Sequence, residues 1–344
     1  MRGWLVAAAS LTVSALASSA FALEIGDKAP ALEIKTWVQG EPIALADGAG
    51  KKVFVVEFWA TWCGPCKTSI PHLSRLAEKF KAQGLEVIGV TAEDDVDLVK
   101  DFAKDGKFKY RVAVDADKNT NGAYMEGVPG IPHAFVIDQQ GTVVWAGHPM
   151  GGLDYVVEKV LAGKFDVAKS KEAAALVKEM QATFSTKDPE QIGAAAEKVL
   201  AAAPYDPQAF DLRAQCLKAK KDVAGYKAFI AALMPKIDDV ASALNNVAAT
   251  LAGDGNVEYR DLPTAYKAAK RAVELTQGKD ADIVDTLAQV LHQAGLLDQA
   301  IETQKKAVAL DPTSEQLKKT LAYYESCAEV RKQAGGAAGG KPKK

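Results

Sequence analysis

The chain has 344 residues, 48% of them hydrophobic and 25% charged, with a formal net charge of −2. That length exceeds one ordinary hydrophobic core and implies two domains of soluble, globular composition. The near-neutral balance offers no field of one sign to a polyanion, so no nucleic-acid partner is expected.

Met1 and Arg2 open a short positive start, Trp4 to Ala17 is apolar and uncharged, and Ala20–Phe21–Ala22 is a small–x–small cleavage site. This pattern reads as a secretory signal peptide over residues 1–22, and so as an exported, periplasmic or otherwise extracytoplasmic protein. The apolar run is short for a bilayer, which takes about 20 residues. No later stretch is long and apolar enough to span one.

Residues 23–165 alternate strand and helix patterns. Lys52 to Trp59 is an almost unbroken apolar run rich in β-branched residues, the signature of a central buried strand. Pro65 to Phe80 predicts a helix with Ile70, Leu73, Leu76, Ala77 and Phe80 on one face, closed by Gly84. A second buried strand follows over Leu85 to Thr91, then a helix over Val96 to Ala103 capped by Asp94 or Asp95. Tyr110 to Val114 reads as a short strand, Ala134–Ile137 and Thr142–Trp145 as a hairpin, and Leu153 to Leu161 as a closing helix. The expected class is α/β, a mixed sheet with helices on both faces.

Beyond Gly163–Lys164 the strand patterns vanish. Residues 170–333 read as Ala-rich helices broken at DP, AP, GDG and QGKD sequences. Ala265, Ala272, Val273 and Leu275 recur 35 residues later as Ala300, Ala307, Val308 and Leu310, and Thr286–Leu287–Ala288 recurs after 34 as Thr320–Leu321–Ala322. This all-α segment resembles tetratricopeptide-type repeats, with Gln304 where an aromatic residue is common and a weaker copy over Ala194 to Leu217. The resemblance implies a concave surface for a protein or peptide partner. Residues 334–344 are small and basic and are expected to be disordered.

Of the four cysteines, Cys63 and Cys66 form one tight motif, and Cys216 and Cys327 stand alone among helices. The motif Cys63–Gly64–Pro65–Cys66 follows the buried strand and opens a helix. Unpaired N–H groups at a helix start favour a thiolate at Cys63, while Cys66 lies one turn in, within reach of a mixed disulfide. Cys63 is therefore the expected nucleophile and Cys66 the resolving thiol. A zinc site would need a second ligand pair, and none is present, so no metal or other cofactor is expected beyond the redox-active disulfide.

The segment VEFWATWCGPCK resembles the active-site segment of the thioredoxin superfamily. The N-terminal piece IGDKAPALEIKTWVQGEPIAL and the insertion before the hairpin are similar to the exported TlpA-like redoxins. The resemblance implies a thioredoxin fold and dithiol–disulfide exchange with protein clients. It also implies a cis-proline at Pro132, with Ile131 and His133 beside it, a buried acid at Glu57 that accepts the proton of Cys66, and a shielding Trp62 that meets partners with Gly64 and Pro65. Ser69 stands where that branch carries an acid, and His133 where it carries Thr. His133 is read as a satisfied strand-end histidine before a tuning charge, and His72 as solvent-facing. The Trp–Cys–Gly–Pro–Cys and Ile–Pro pair resemble thioredoxin more than exported oxidants. A reducing direction follows, and with it a membrane thiol donor. Two other classes remain: a scaffold whose repeats carry the role, and a thiol peroxidase, disfavoured because Ala60 replaces the Thr of that chemistry.

Overall fold

A computed structural model describes residues 22–104 and 108–338. The signal peptide expected over 1–22 lies, but for Ala22, outside the described residues. Six strands form one mixed sheet: β1 (Ile34–Gln39), β2 (Val53–Phe58), β3 (Leu85–Thr91), β4 (Arg111–Asp115), β5 (His133–Ile137) and β6 (Val143–Gly147), in the order β1-β4-β3-β2-β5-β6. β2 runs parallel to β3, and β3 to β4, whereas β5, β6 and β1 join antiparallel. Every residue of β2, Glu57 included, is buried, as its almost unbroken apolar run implies for a strand covered on both faces.

One face carries α1 (Gly64–Phe80), α2 (Val96–Lys104) and α4 (Leu153–Leu161). Val53, Val55 and Val87 there meet Ile70, Leu73, Leu76 and Phe80 of α1 and Val156 and Val160 of α4. The other face buries Phe54, Val56, Phe58, Ile88 and Phe135 against Tyr124 of α3 (Asn119–Met125). Asp95 caps α2, its Oδ1 accepting the Leu98 N–H at 3.0 Å. β1 and α3 had no strong pattern of their own. β1 is an edge strand with register shifts against β4, and α3 is a short helix of poor formers.

The rest of the chain is helical: α5 (Val167–Ala182), α6 (Pro189–Ala202), α7 (Pro207–Ala219), α8 (Val223–Leu233), α9 (Ala241–Gly253), α10 (Leu262–Leu275), α11 (Ala281–Gln293), α12 (Leu297–Leu310) and α13 (Glu315–Ala338). Asp166, Asp188, Asp206, Asp222, Asp261 and Asp280 each accept a backbone N–H at a helix start, so the DP and KD breaks are caps. Neighbouring helices pack in pairs, with Ala265, Ala268, Ala272, Ala288, Ala300 and Ala307 fully buried where the backbones approach. Gln304 is also fully buried, its amide donating to Asp285 Oδ1 at 2.7 Å and to the Leu317 carbonyl at 3.2 Å. It therefore ties α11, α12 and α13 together by hydrogen bonds where an aromatic ring would do so by contact. Cys216 and Cys327 are both free thiols. α13 is described to Ala338. Residues 339–344 lie outside the described residues.

The two parts touch along α1, α4 and α5. The Ser170 hydroxyl of α5 donates to the Val144 carbonyl of β6 at 2.8 Å, and Tyr155 of α4 stacks on Tyr205 with centroids 3.5 Å apart. Arg75 and Lys79, on the outer face of α1, pair with Asp282 and Asp280 at the start of α11 at 2.9 and 3.0 Å. His72 belongs to this contact and does not face solvent: its Nε2 lies 3.0 Å from Asp154 Oδ2 of α4. The side of α1 that carries His72 is covered by α4.

Burial opposes the charged form of His72, but the hydrogen bond and charge of Asp154 outweigh it and raise its pKa; Arg75 opposes and Asp282 adds to this. Asp154 moves the other way: burial raises it, and His72 with Lys79 brings it below the ordinary carboxylate value. A raised histidine stabilises the folded state below its unfolded pKa, and that contribution fades as pH rises through the folded value; the lowered carboxylate contributes above its own unfolded pKa. The contact is therefore strongest in mildly acidic solution. In NMR titration the His72 ring should show a midpoint above the ordinary value of about 6.5, and Asp154→Asn should bring it below that value. A wild-type midpoint below 6.5 refutes the contact.

Candidate active site

The site is built where β2 runs out. Trp59 turns back into the core against Phe108 and Phe102, with ring centroids 4.9 and 5.5 Å away. Thr61 is held by Glu93, just beyond the end of the parallel neighbour β3: Oε2 accepts the Thr61 N–H at 2.7 Å and Oε1 accepts its hydroxyl at 2.6 Å. Trp62, anchored on one side by this clamp, is 72% exposed. Glu93 was not singled out in the sequence. The available signal was its place directly after a buried parallel strand, at the strand ends where α/β sheets collect functional groups.

Cys63 is the N-cap of α1, with extended backbone angles (φ −77°, ψ 104°). Its Sγ accepts the Cys66 N–H at 3.1 Å, taking the place of the side-chain oxygen of an ordinary cap. Gly64 and Pro65 make the first turn, where a missing proline N–H costs nothing. Cys63 and Cys66 are joined in a disulfide; Cys66 is fully buried and Cys63 nearly so. The bond Ile131–Pro132 is cis, and the Ile131 carbonyl oxygen lies 3.8 Å from Cys63 Sγ. Ile131, Pro132 and the dithiol thus share one surface with Trp62 at its rim.

His133 opens β5 with its ring 5.0 Å from that of Phe135. Burial, with a smaller contribution from His148, pushes its pKa down to about 4. It is neutral near pH 7 and adds no positive charge to the sulfurs. Ser69 is buried, its hydroxyl donating to the Cys66 carbonyl at 3.1 Å.

Glu57 is fully buried in β2, paired across the sheet with Gly89 of β3 and Ala134 of β5. It shares the parity of Val53 and Val55, which face α1. The Tyr110 hydroxyl donates to its Oε2 at 3.2 Å, and Oε1 has no partner among the described residues. Burial raises its pKa, the Tyr110 hydrogen bond lowers it, and the balance stands at about 8. Gly89 makes the room: a Cβ there would lie 3.1 Å from both Trp59 Nε1 and Tyr110 Cε2. Among the described residues no three His, Cys, Asp or Glu side chains converge as metal ligands. The electron-carrying group is the sulfur pair.

A disulfide capping a helix in a thioredoxin-like sheet, beside a cis X–Pro bond, defines a thiol–disulfide oxidoreductase. Residues 25–146 match the AhpC/TSA family. The chain is 38% identical over 122 residues to the thiol-disulfide oxidoreductase ResA of Bacillus thuringiensis strain Al Hakam, covering 36% of this chain and 68% of that protein. To ResA of Halalkalibacterium halodurans it is 32% identical over 124 residues, covering 36% and 68%. A crystal structure of a thiol:disulfide interchange protein of the thioredoxin family from Chlorobium tepidum TLS is similar at 28% identity and a TM-score of 0.35, covering 40% of this chain and 97% of that one. The chain belongs to the ResA family of thiol–disulfide oxidoreductases, and a helical region follows its redox domain.

The Glu93 clamp makes a measurable contribution. Glu93→Ala frees a buried backbone N–H and should destabilise the oxidised protein by about 1.5–3 kcal/mol, the range for hydrogen bonds to a charged group. Glu93→Gln, which keeps an acceptor for that N–H, should recover part of the loss. Urea unfolding followed by tryptophan fluorescence reads both; equal stability of Glu93→Ala and wild type refutes the clamp.

Proposed function

We propose that this chain is an exported disulfide reductase that hands an electron pair to protein clients through Cys63 and Cys66. The observation that carries this reading is the Cys63 sulfur at the start of α1, accepting a main-chain N–H at 3.1 Å. Once the disulfide is reduced, the same N–H and the helix dipole favour the Cys63 thiolate over the thiol. The thiolate attacks a client disulfide, forming the Cys63–client bond and releasing one client sulfur as thiolate. Cys66 then attacks Cys63 Sγ, the second client sulfur leaves, and the proton of Cys66 passes to Glu57. The client gains two electrons and the protein returns to the disulfide seen here.

Ile131, Pro132, Trp62, Gly64, Pro65 and His133 form the surface against which the client chain lies. Residues 1–22 serve as the signal peptide, 23–165 as the redox domain and 170–333 as a tetratricopeptide-like array. Among the described residues no helix is long and apolar enough to cross a membrane. A reductase outside the cytoplasm needs its electrons replaced, and a membrane thiol carrier is the donor proposed. A cleft of about 480 Å³ lined by Gln289, His292, Gln293, Lys319, Tyr323 and Tyr324 supports a protein- or peptide-binding role for the helical region. That cleft is also the support for the scaffold reading, in which binding alone matters. A peroxidase reading has less support, since Ala60 offers no hydroxyl to hold a peroxide.

Cys63→Ser should abolish turnover of insulin disulfides, whereas Cys66→Ser should accumulate a Cys63-linked mixed disulfide identifiable by mass spectrometry. Titration against glutathione or dithiothreitol buffers should place the potential near the thioredoxin range of about −270 mV. A value near the DsbA range, about −120 mV, overturns the reducing direction. Unchanged biological activity of Cys63→Ser would favour the scaffold.

A further inference from the structure

The geometry points to Tyr110 as the positioning residue of the dithiol's proton exchange: it holds Glu57 by Oε2 and so leaves Oε1 as the oxygen that exchanges a proton with Cys66. This rests on the proposed role of Glu57. A carboxyl group exchanges protons through either oxygen, and in a buried site its orientation is set by its neighbours. Here one oxygen is engaged by the Tyr110 hydroxyl at 3.2 Å, and the other is buried with no partner among the described residues. An unpaired buried oxygen is costly, and most costly while the carboxyl carries its charge, so a proton on the group lowers the cost.

The ring of Tyr110 is fixed independently of this bond. It packs edge-on against Phe108 with centroids 5.2 Å apart, and the Gln39 amide donates to the Tyr110 carbonyl at 2.8 Å. Gly89, opposite Glu57, leaves space for the ring. Glu57 is paired across the sheet with Gly89 of β3 and Ala134 of β5, and Tyr110 from before β4 reaches it. Trp59, whose buried Nε1 has no partner among the described residues, and Cys66 lie in the core layer of the same face. Burial and the Tyr110 bond are the two influences on its acidity.

The hydroxyl donates to Oε2 in both protonation states, but the bond is stronger to the carboxylate. Tyr110 therefore adjusts how much of Glu57 is ready to accept. In the forward step the Cys66 thiol loses its proton to Oε1 as its sulfur attacks Cys63 Sγ and the client sulfur departs. In re-reduction a donor thiolate bonds to Cys63 Sγ, Cys66 leaves, and Oε1 returns the proton.

The test is the pH dependence of the Cys66 step alone, read as release of thionitrobenzoate from a Cys63–thionitrobenzoate mixed disulfide formed on the reduced protein. Tyr110→Phe keeps the ring and should move the Glu57-dependent midpoint up by about half to one unit, which is about three- to tenfold slower release at pH 7, with rates converging at high pH. Fluorotyrosine at position 110, a stronger donor, should move the midpoint down. Infrared titration of the Glu57 carboxyl band should report the same two shifts, and in a Glu57→Gln background neither change at Tyr110 should alter the profile. If Glu57→Gln moves the profile and neither Tyr110 change does, Tyr110 has no positioning role. If Glu57→Gln itself leaves the profile unmoved, the Glu57 role falls and this inference with it.

Discussion

A sulfur atom stands where helix α1 needs an acceptor, and the rest of the site depends on that substitution. Helix starts carry N–H groups with no partner in the preceding turn, and an ordinary cap answers them with an oxygen. Cys63 answers with Sγ, which the Cys66 N–H meets at 3.1 Å. The interaction is weak while the sulfur is in a disulfide and strong when it is a thiolate, so the reduced state gains from it. It needs a helix start held in one place, and the fully buried β2 provides that. Glu93 adds a second constraint by fixing Thr61, two residues before the cap.

Glu57 is the counterweight. A fully buried carboxyl in the middle strand of a sheet is expensive, and burial keeps its proton on up to about pH 8. A hydrophobic residue there would pack as well as its neighbours Val55 and Val56 and would stabilise the sheet. What it would lack is an ionisable group in the buried layer between β2 and α1, which is what the role proposed for Glu57 requires. Gly89 and Tyr110 are the accommodations that the fold makes around this group, one by giving up a side chain and the other by supplying a hydroxyl. His133, nearer the surface, is neutral for the same reason of burial and leaves the electrostatics of the dithiol to α1.

The legible parts of the sequence were those in which one residue or one period carries the physics. The run Lys52–Trp59 fitted a central buried strand, and the Cys–Gly–Pro–Cys motif after it fitted the start of a helix. Ile131–Pro132, in the cis form here, was read from resemblance rather than from any local pattern. Hidden features were those made by two distant segments meeting. Nothing in Tyr110 announces a bond to Glu57, and Glu93 in an acidic stretch looks like a solvated charge. β1 escaped notice because an edge strand needs no apolar alternation of its own, and His72 was misplaced because helical periodicity identifies an outer face without saying what covers it. Gln304 shows a further limit: a polar residue at a core position is readable as a departure, but its partners Asp285 and Leu317 become visible only in three dimensions.

α1 links the two parts of the molecule mechanically. Its first turn carries the reactive sulfur, and its outer face, through Arg75 and Lys79, pairs with Asp282 and Asp280 at the start of α11. α11 in turn supplies Gln289, His292 and Gln293 to the cleft of the helical region. The cleft of the helical region and the dithiol at the start of α1 are thus joined through packed helices. The half-exposed Arg75–Asp282 pair contributes little stability by itself, whereas Lys79 and Asp280 are more covered. Their consequence is orientation, and with the Tyr155–Tyr205 stack they hold the helical region against α1 and α4.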